Sequence, residues 1–260
     1  MRIISLSVDG ILQAAELGLY DWLLTQDADI ICLQDLRVQE YELDGDEFQL
    51  DGYFSYIFDS GIKNCNGIAI YSREQPKALI FGLGFNSGID MQGRYLQADF
   101  EQISIGSLLA PVVNDDASSQ DVKDQFFEDL QNHMHKITGK RRDFIFCGSW
   151  GIAHTNNDIQ NWQKNDTTPG FLPHEQQWLN QIFNDVGYAD AFRLANTDND
   201  EYSWWPSGKI NEADGWRTDY QIISESLMQR VEYAAIYKSK QFSSHLPVII
   251  DYDLEVGGQL

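Results

Sequence analysis

The stretch Asp143-Phe144-Ile145-Phe146-Cys147-Gly148-Ser149-Trp150-Gly151 constrains this chain more than any other. Its apolar run from Phe144 to Cys147, met at once by glycine, reads as a buried central strand ending in a tight turn. In α/β folds the turn beyond the carboxyl end of such a strand is where reacting groups sit. Here that turn carries Ser149 and Gly151, neither of them a metal ligand or a base.

The chain before it opens as strand, helix, strand. Residues 2–8 carry Ile3, Ile4, Leu6 and Val8 and predict a strand, and Asp9-Gly10 turns the chain. Ile11 to Gln26 has helical spacing through Leu12, Ala15, Leu19, Trp22 and Leu23. Ile30-Ile31-Cys32-Leu33 is a second strand, followed by Gln34-Asp35. Asp9 and Asp35 thus stand just past two strands, where a sheet could bring them together. They are either a pair of metal-binding carboxylates or caps of a turn or helix start.

Short strands follow at Tyr53–Phe58, Gly67–Ser72, Ala78–Leu83, Arg94–Phe100 and Ile103–Leu109, dense enough to suggest antiparallel sheet. Asn114 to Gln120 reads as a polar loop, and Val122 to Ile137 as a helix with Phe126, Phe127, Leu130 and Met134 on one face. A further helix is expected over Pro173–Val186, with strands at Tyr202–Trp205, Tyr220–Ile223, Val231–Ile236 and Val248–Tyr252. Strands run from end to end without a repeat or linker. One domain over residues 1–256 is expected, with 257–260 a frayed tail.

A formal net charge of -22, with Lys+Arg at 18, argues against a solitary nucleic-acid binder, because polyphosphates are repelled at long range. Cys32, Cys65 and Cys147 lack metal-ligand spacing, and Cys32 and Cys147 lie in apolar runs, as buried thiols do. The first residues form a strand rather than a charged leader, and no apolar stretch approaches the roughly 18 residues of a membrane span. A cytoplasmic location without membrane association is expected.

Eight tags in order then spell a resemblance. They are the strand into Asp9-Gly10, Leu33-Gln34-Asp35, Gly67-Ile68-Ala69-Ile70-Tyr71-Ser72 and Gly93-Arg94-Tyr95. Phe171-Leu172-Pro173, Tyr202-Ser203-Trp204-Trp205, Gly215-Trp216-Arg217-Thr218-Asp219 and Ser244-His245-Leu246-Pro247-Val248 follow. Nearly the whole chain resembles the exonuclease III / AP-endonuclease members of the endonuclease–exonuclease–phosphatase superfamily. The resemblance implies an α/β (α+β) fold: a four-layer sandwich of two mainly antiparallel sheets packed face to face, with helices outside.

It also implies metal-dependent phosphodiester hydrolysis, and a site that this chain alters. The family's Asn-x-Asn-Gly reads Ser7-Val8-Asp9-Gly10, and its metal-binding Glu is Asp35. Its Tyr is Leu109, and its Gly-Asp-x-Asn turn is Gly148-Ser149-Trp150-Gly151. The Asp of its Ser-Asp-His is Ser244, which on this reading leaves His245 without an orienting carboxylate, while Asp219 remains. Groups that act as a unit each cost orders of magnitude when removed. The resemblance therefore implies a pseudoenzyme with no cofactor and no bound metal, Asp35 and Asp219 being the residual candidates for weak metal binding. The alternative is a residual Mg-dependent phosphodiesterase using Asp35, Asp219 and His245.

Within the family, Phe48-Gln49-Leu50-Asp51-Gly52-Tyr53-Phe54, Gly187-Tyr188-Ala189-Asp190-Ala191 and Ser203-Trp204-Trp205-Pro206 resemble the catabolite repression control subgroup. That resemblance implies a translational co-repressor that acts with the RNA chaperone Hfq on A-rich mRNA, binds RNA weakly or not at all alone, and has self-association among its expected contacts. The expected contact is Lys136 with Lys140, Arg141 and Arg142, the one dense basic cluster. Its other reading is that cations at a helix end complement the helix dipole.

Overall fold

The structure of the protein, a computed structural model, describes residues 1–84, 91–113, 118–210 and 212–257. The first sheet is built from β1 (Arg2–Ser7), β2 (Ile30–Gln34), β3 (Phe54–Phe58), β4 (Ile68–Ser72), β11 (Val231–Ile236) and β12 (Val248–Tyr252), in the order β11-β12-β1-β2-β4-β3. The second holds β5 (Ala78–Phe81), β6 (Tyr95–Asp99), β7 (Ile103–Leu109), β8 (Asp143–Ser149), β9 (Tyr188–Asp190) and β10 (Asp219–Ser224), in the order β5-β6-β7-β8-β10-β9. Each sheet has one parallel pair, β1 with β2 and β7 with β8, and is otherwise antiparallel.

Alternation along the strands produces the four layers. Ile3, Ile30, Cys32, Ile68 and Ile70 of the first sheet meet Ile105, Ile145, Cys147 and Ile223 of the second in one buried core. The intervening residues face outward. Ile4, Ile31 and Leu33 pack under the helices α1 (Ile11–Glu16) and α2 (Leu19–Leu24), through Leu19, Trp22 and Leu23. Phe144, Phe146, Tyr220 and Ile222 pack under α3 (Ser118–Ile137) and α4 (Pro173–Gln181), through Phe126, Leu130, Met134 and Leu179. Both faces of β8 are therefore covered, which is why its sequence reads as a continuous apolar run. Cys32 and Cys147 are buried thiols in the inter-sheet core, as expected.

The structure corrects several element assignments. Gly148 lies inside β8, not in the turn after it. A Cβ there would stand 2.0 Å from the Leu108 carbonyl oxygen of β7, so glycine is required by the close backbone approach. The turn comes instead at Gly151, with φ +62°. The expected Ile11–Gln26 helix is two helices, because Gly18 takes a left-handed conformation (φ 79°, ψ 34°) that interrupts the helical run. The Pro173–Val186 helix is α-helical to Gln181 and widens into a π turn over Ile182–Val186 before left-handed Gly187. Tyr202–Trp205 is no sheet strand. Trp204 makes isolated bridges to Trp216 and His245 and so ties two loops together. Of the expected polar loop, residues 118–120 begin α3 and 114–117 lie outside the described residues, as do residues 258–260 of the expected tail. Among the described residues, no helix is long and apolar enough to cross a membrane.

Candidate active site

The two parallel pairs point their carboxyl ends to the same edge of the sandwich. In the second sheet Leu109, Ser149 and Asp219 lie side by side in register on β7, β8 and β10. In the first, Ser7 pairs with Gln34 at the ends of β1 and β2, and Asp9 and Asp35 follow directly. The chain there is laced by Val8 N–H donating to Gln34 O and Gly10 N–H donating to Asp35 O, both 2.9 Å. A cavity of about 270 Å³ opens between these ends, lined by Ser7, Asp9, Asp35, Leu109, Ser149, Gly151 and His245 among others. Seven residues scattered over 239 positions of sequence thus share one cavity.

Behind His245 lies Asp219. The His245 Nδ1 is 2.9 and 3.1 Å from the two Asp219 oxygens. An ionised carboxylate can only accept, so Nδ1 carries the proton and Nε2 is left for the cavity. Asp219 is itself fixed by Ser203 Oγ–H, which donates to Oδ2 at 2.6 Å while accepting from the Asp219 amide. Burial pushes the imidazole pKa down. The Asp219 carboxylate, reinforced by Asp9 and Asp35, outweighs this and raises it above the ordinary value. Trp204 stacks on the ring, 5.9 Å between centroids and 28° between planes, and fixes its tilt. This corrects the expectation that Ser244 in place of a carboxylate leaves His245 unoriented: Asp219, 26 residues away in sequence, orients it.

Ser244 has a different task. Its amide donates to Asp9 Oδ2 at 2.8 Å, and its hydroxyl donates to the same oxygen. The other Asp9 oxygen faces Arg37, whose Nη2 is 3.5 Å away. The same Nη2 donates to Asp35 Oδ2 at 2.6 Å, and Nη1 donates to the Asp9 carbonyl at 2.9 Å. Asp9 and Asp35 are therefore brought together around a guanidinium, and Asp219 is committed to His245 and Ser203. Among the described residues no group of three or more His, Cys, Asp or Glu side chains converges to hold a metal ion. The carboxylates present, as they are partnered here, do not fit a divalent cation.

Sequence reasoning missed Arg37 and a second buried pair. Lys123 of α3 donates from Nζ to Glu175 Oε1 at 2.6 Å and to the Gly151 carbonyl at 2.8 Å. Glu175 Oε2 accepts from the Gly170 and Leu172 amides. Together they pin the turn after β8 to the start of α4. The signal was there: Lys123 sits three, four and seven residues before Phe126, Phe127 and Leu130, on the apolar face of its helix.

The expected basic cluster is split. Lys136, Lys140 and Arg141 are exposed. Arg142 is half-buried and turned inward, its guanidinium donating to the Phe100 carbonyl at 2.7 Å and to the carbonyls of Glu101 and of Ile103 at the start of β7. Its donors close the 100–103 loop.

A family model for the endonuclease/exonuclease/phosphatase family matches residues 8–232. The chain belongs to the endonuclease/exonuclease/phosphatase family. Among its relatives in this family, an exodeoxyribonuclease of Bacillus subtilis is 30% identical over 252 residues, covering 95% of this chain and 98% of that protein. The zebrafish (Danio rerio) DNA repair nuclease APEX1 is 26% identical over 255 residues, covering 96% and 81%. An AP endonuclease from Archaeoglobus fulgidus superposes with a TM-score of 0.88 at 24% identity, over 98% of this chain and all of that one, and so shares the fold. These family relatives overturn the expectation of a non-enzymatic chain, because proteins similar along nearly its whole length are named nucleases. The physical reason for the miss is that counting exchanged side chains does not reveal which groups remain assembled. The Asp219–His245 pair is intact.

Proposed function

We propose that the chain is a phosphoesterase of the exonuclease III / AP-endonuclease type that acts on nucleic acid at the cavity between the sheet ends. The observation that carries this is the buried Asp219–His245 pair presenting Nε2 to that cavity. As water adds to phosphorus and the bond to the departing oxygen breaks, a protonated imidazole there neutralises charge developing on a phosphoryl oxygen and gives its proton to the departing oxygen, while the proton lost by the water passes to solvent and the imidazole is reprotonated from solvent. Arg37, committed to Asp9 and Asp35, offsets the negative charge of that wall of the cavity rather than adding a free cation. Ser149 offers an incoming water a hydroxyl, a hydrogen-bond partner but not a base, so turnover is expected to be slow. The test is incubation with abasic-site duplex, blunt duplex and RNA, with Mg²⁺ and with chelator, beside His245→Gln purified identically. Cleavage that falls about 10²–10⁴-fold in the variant supports the reading. Cleavage equal in both proteins, or none with any substrate, refutes it.

A second reading concerns partners. The exposed Lys136, Lys140 and Arg141 lie on an otherwise acidic chain, which favours contact with RNA already held by another protein over binding RNA alone. This is the reading in which the chain joins Hfq on A-rich mRNA as a translational co-repressor. Capture of Hfq that is lost on RNase treatment and in Lys140→Glu/Arg141→Glu supports it. Capture unchanged by both removes it.

A further inference from the structure

The Asp9–Asp35 pair poses a question that the proposed reaction does not answer. Two carboxylates at adjacent strand ends repel each other and need a cation. In this protein the cation is part of the chain. Arg37 Nη2 stands 2.6 Å from Asp35 Oδ2 and 3.5 Å from Asp9 Oδ1, so one nitrogen serves both carboxylates.

An exposed arginine ion pair is usually worth little, because two mobile side chains must be ordered to form it. This one is built differently. Asp9, Asp35 and Arg37 all adopt positive φ (53°, 57° and 57°), an uncommon conformation for residues with a side chain. The backbone holds them there. The Arg37 amide donates to Asn66 O at 2.7 Å and the Leu36 amide to Gly67 O at 3.0 Å, while Gly10 N–H donates to Asp35 O. Asp9 is held from its other side by Ser244. Asp35 is 17% exposed and Asp9 27%, so both charges are partly shielded from water. Two carboxylates on positive-φ residues, converging on the guanidinium of a third such residue, are the mark of a positioned group.

We propose that Arg37 is the resident cation of this site. Its guanidinium occupies the ground between Asp9 and Asp35, so the wild-type chain does not take up a divalent ion there, and removing the guanidinium converts the pair into a divalent-cation site. The inference does not depend on turnover of any substrate, because its test reads metal uptake directly.

The test is titration of the full chain with Mn²⁺, followed by calorimetry and by the electron paramagnetic resonance signal of free Mn²⁺. Wild type is expected to show no stoichiometric uptake up to millimolar Mn²⁺. Arg37→Ala should bind one Mn²⁺ per chain, Asp35→Asn added to Arg37→Ala should abolish that binding, and methylguanidinium should compete with Mn²⁺ for the single variant. Competition of this kind is not expected if Arg37 merely props the loop. Stoichiometric Mn²⁺ binding by wild type that is lost in Asp35→Asn would overturn the proposal, as would an Arg37→Ala protein that is folded by circular dichroism yet binds no Mn²⁺. If Arg37→Ala does not fold, Arg37→Gln takes its place with the same expectations. If that fails too, the wild-type titration decides alone, uptake overturning the proposal and no uptake supporting it.

Discussion

Replacing Asp219 with alanine removes one member of a buried charged pair. Both carboxylate oxygens lie within 3.1 Å of His245 Nδ1, and the side chains are 2% and 9% exposed. Water cannot replace the lost partner, and Ser203 Oγ loses its acceptor as well. Breaking a buried pair from one side costs about 3–5 kcal/mol. The cost should depend on pH, and its sign follows from the raised imidazole pKa. A histidine whose native pKa exceeds the unfolded value near 6.5 contributes stability that is full below that value and is lost as pH rises through the native one. The gap between wild type and Asp219→Ala should therefore be larger at about pH 6 than at about pH 9. Asp219→Asn, which keeps an acceptor for Ser203 and lets His245 go neutral, should cost less than alanine. Urea unfolding followed by circular dichroism at both pH values measures this, with equal m-values confirming a common unfolded state. A loss under about 1 kcal/mol, the size of a surface pair, or one independent of pH, would refute the reasoning.

Arg217 is 1% exposed and bridges two carboxylates, with Nε 2.8 Å from Asp158 and Nη2 2.8 Å from Asp190. Arg217→Met should cost about 3–5 kcal/mol in the same assay, because both carboxylates stay buried. Burial alone would raise the Asp158 carboxyl, but Arg217 and Arg193 hold it well below the usual carboxylate range. Its contribution is present above the unfolded value near 3.9 and lost as pH falls through the native one, so Arg217→Met should flatten the acid-unfolding curve below about pH 4. Gly148→Ala, whose Cβ meets the Leu108 carbonyl oxygen, should cost about 3 kcal/mol or more by displacing β7 from β8, measured as a fall in melting temperature.

Much of the fold was legible in the sequence, because burial leaves periodic marks. The runs of β1, β2 and β8 and the spaced aromatic residues of α3 report which faces lose water, and that is local information. The end of a helix at Gly18 and the placement of Gly148 were not legible in the same way. A glycine that stops a helix and one that admits a neighbouring strand look alike until the neighbour is in place. The positions lining the cavity could be named from the order of short motifs, but not the bonds among them. His245 looked bereft beside Ser244, yet its carboxylate comes from β10, and Ser244 turns instead to Asp9, 235 residues earlier. Arg37 carried no mark in the sequence, Lys123 only its place on an apolar helix face, and Arg142 read as one of a basic cluster. Sequence determined which side chains this protein owns and which stretches must be buried. Only the tertiary structure decided which charges meet, because ion pairs and hydrogen bonds act over about 3 Å and so depend on distances that chain order does not set.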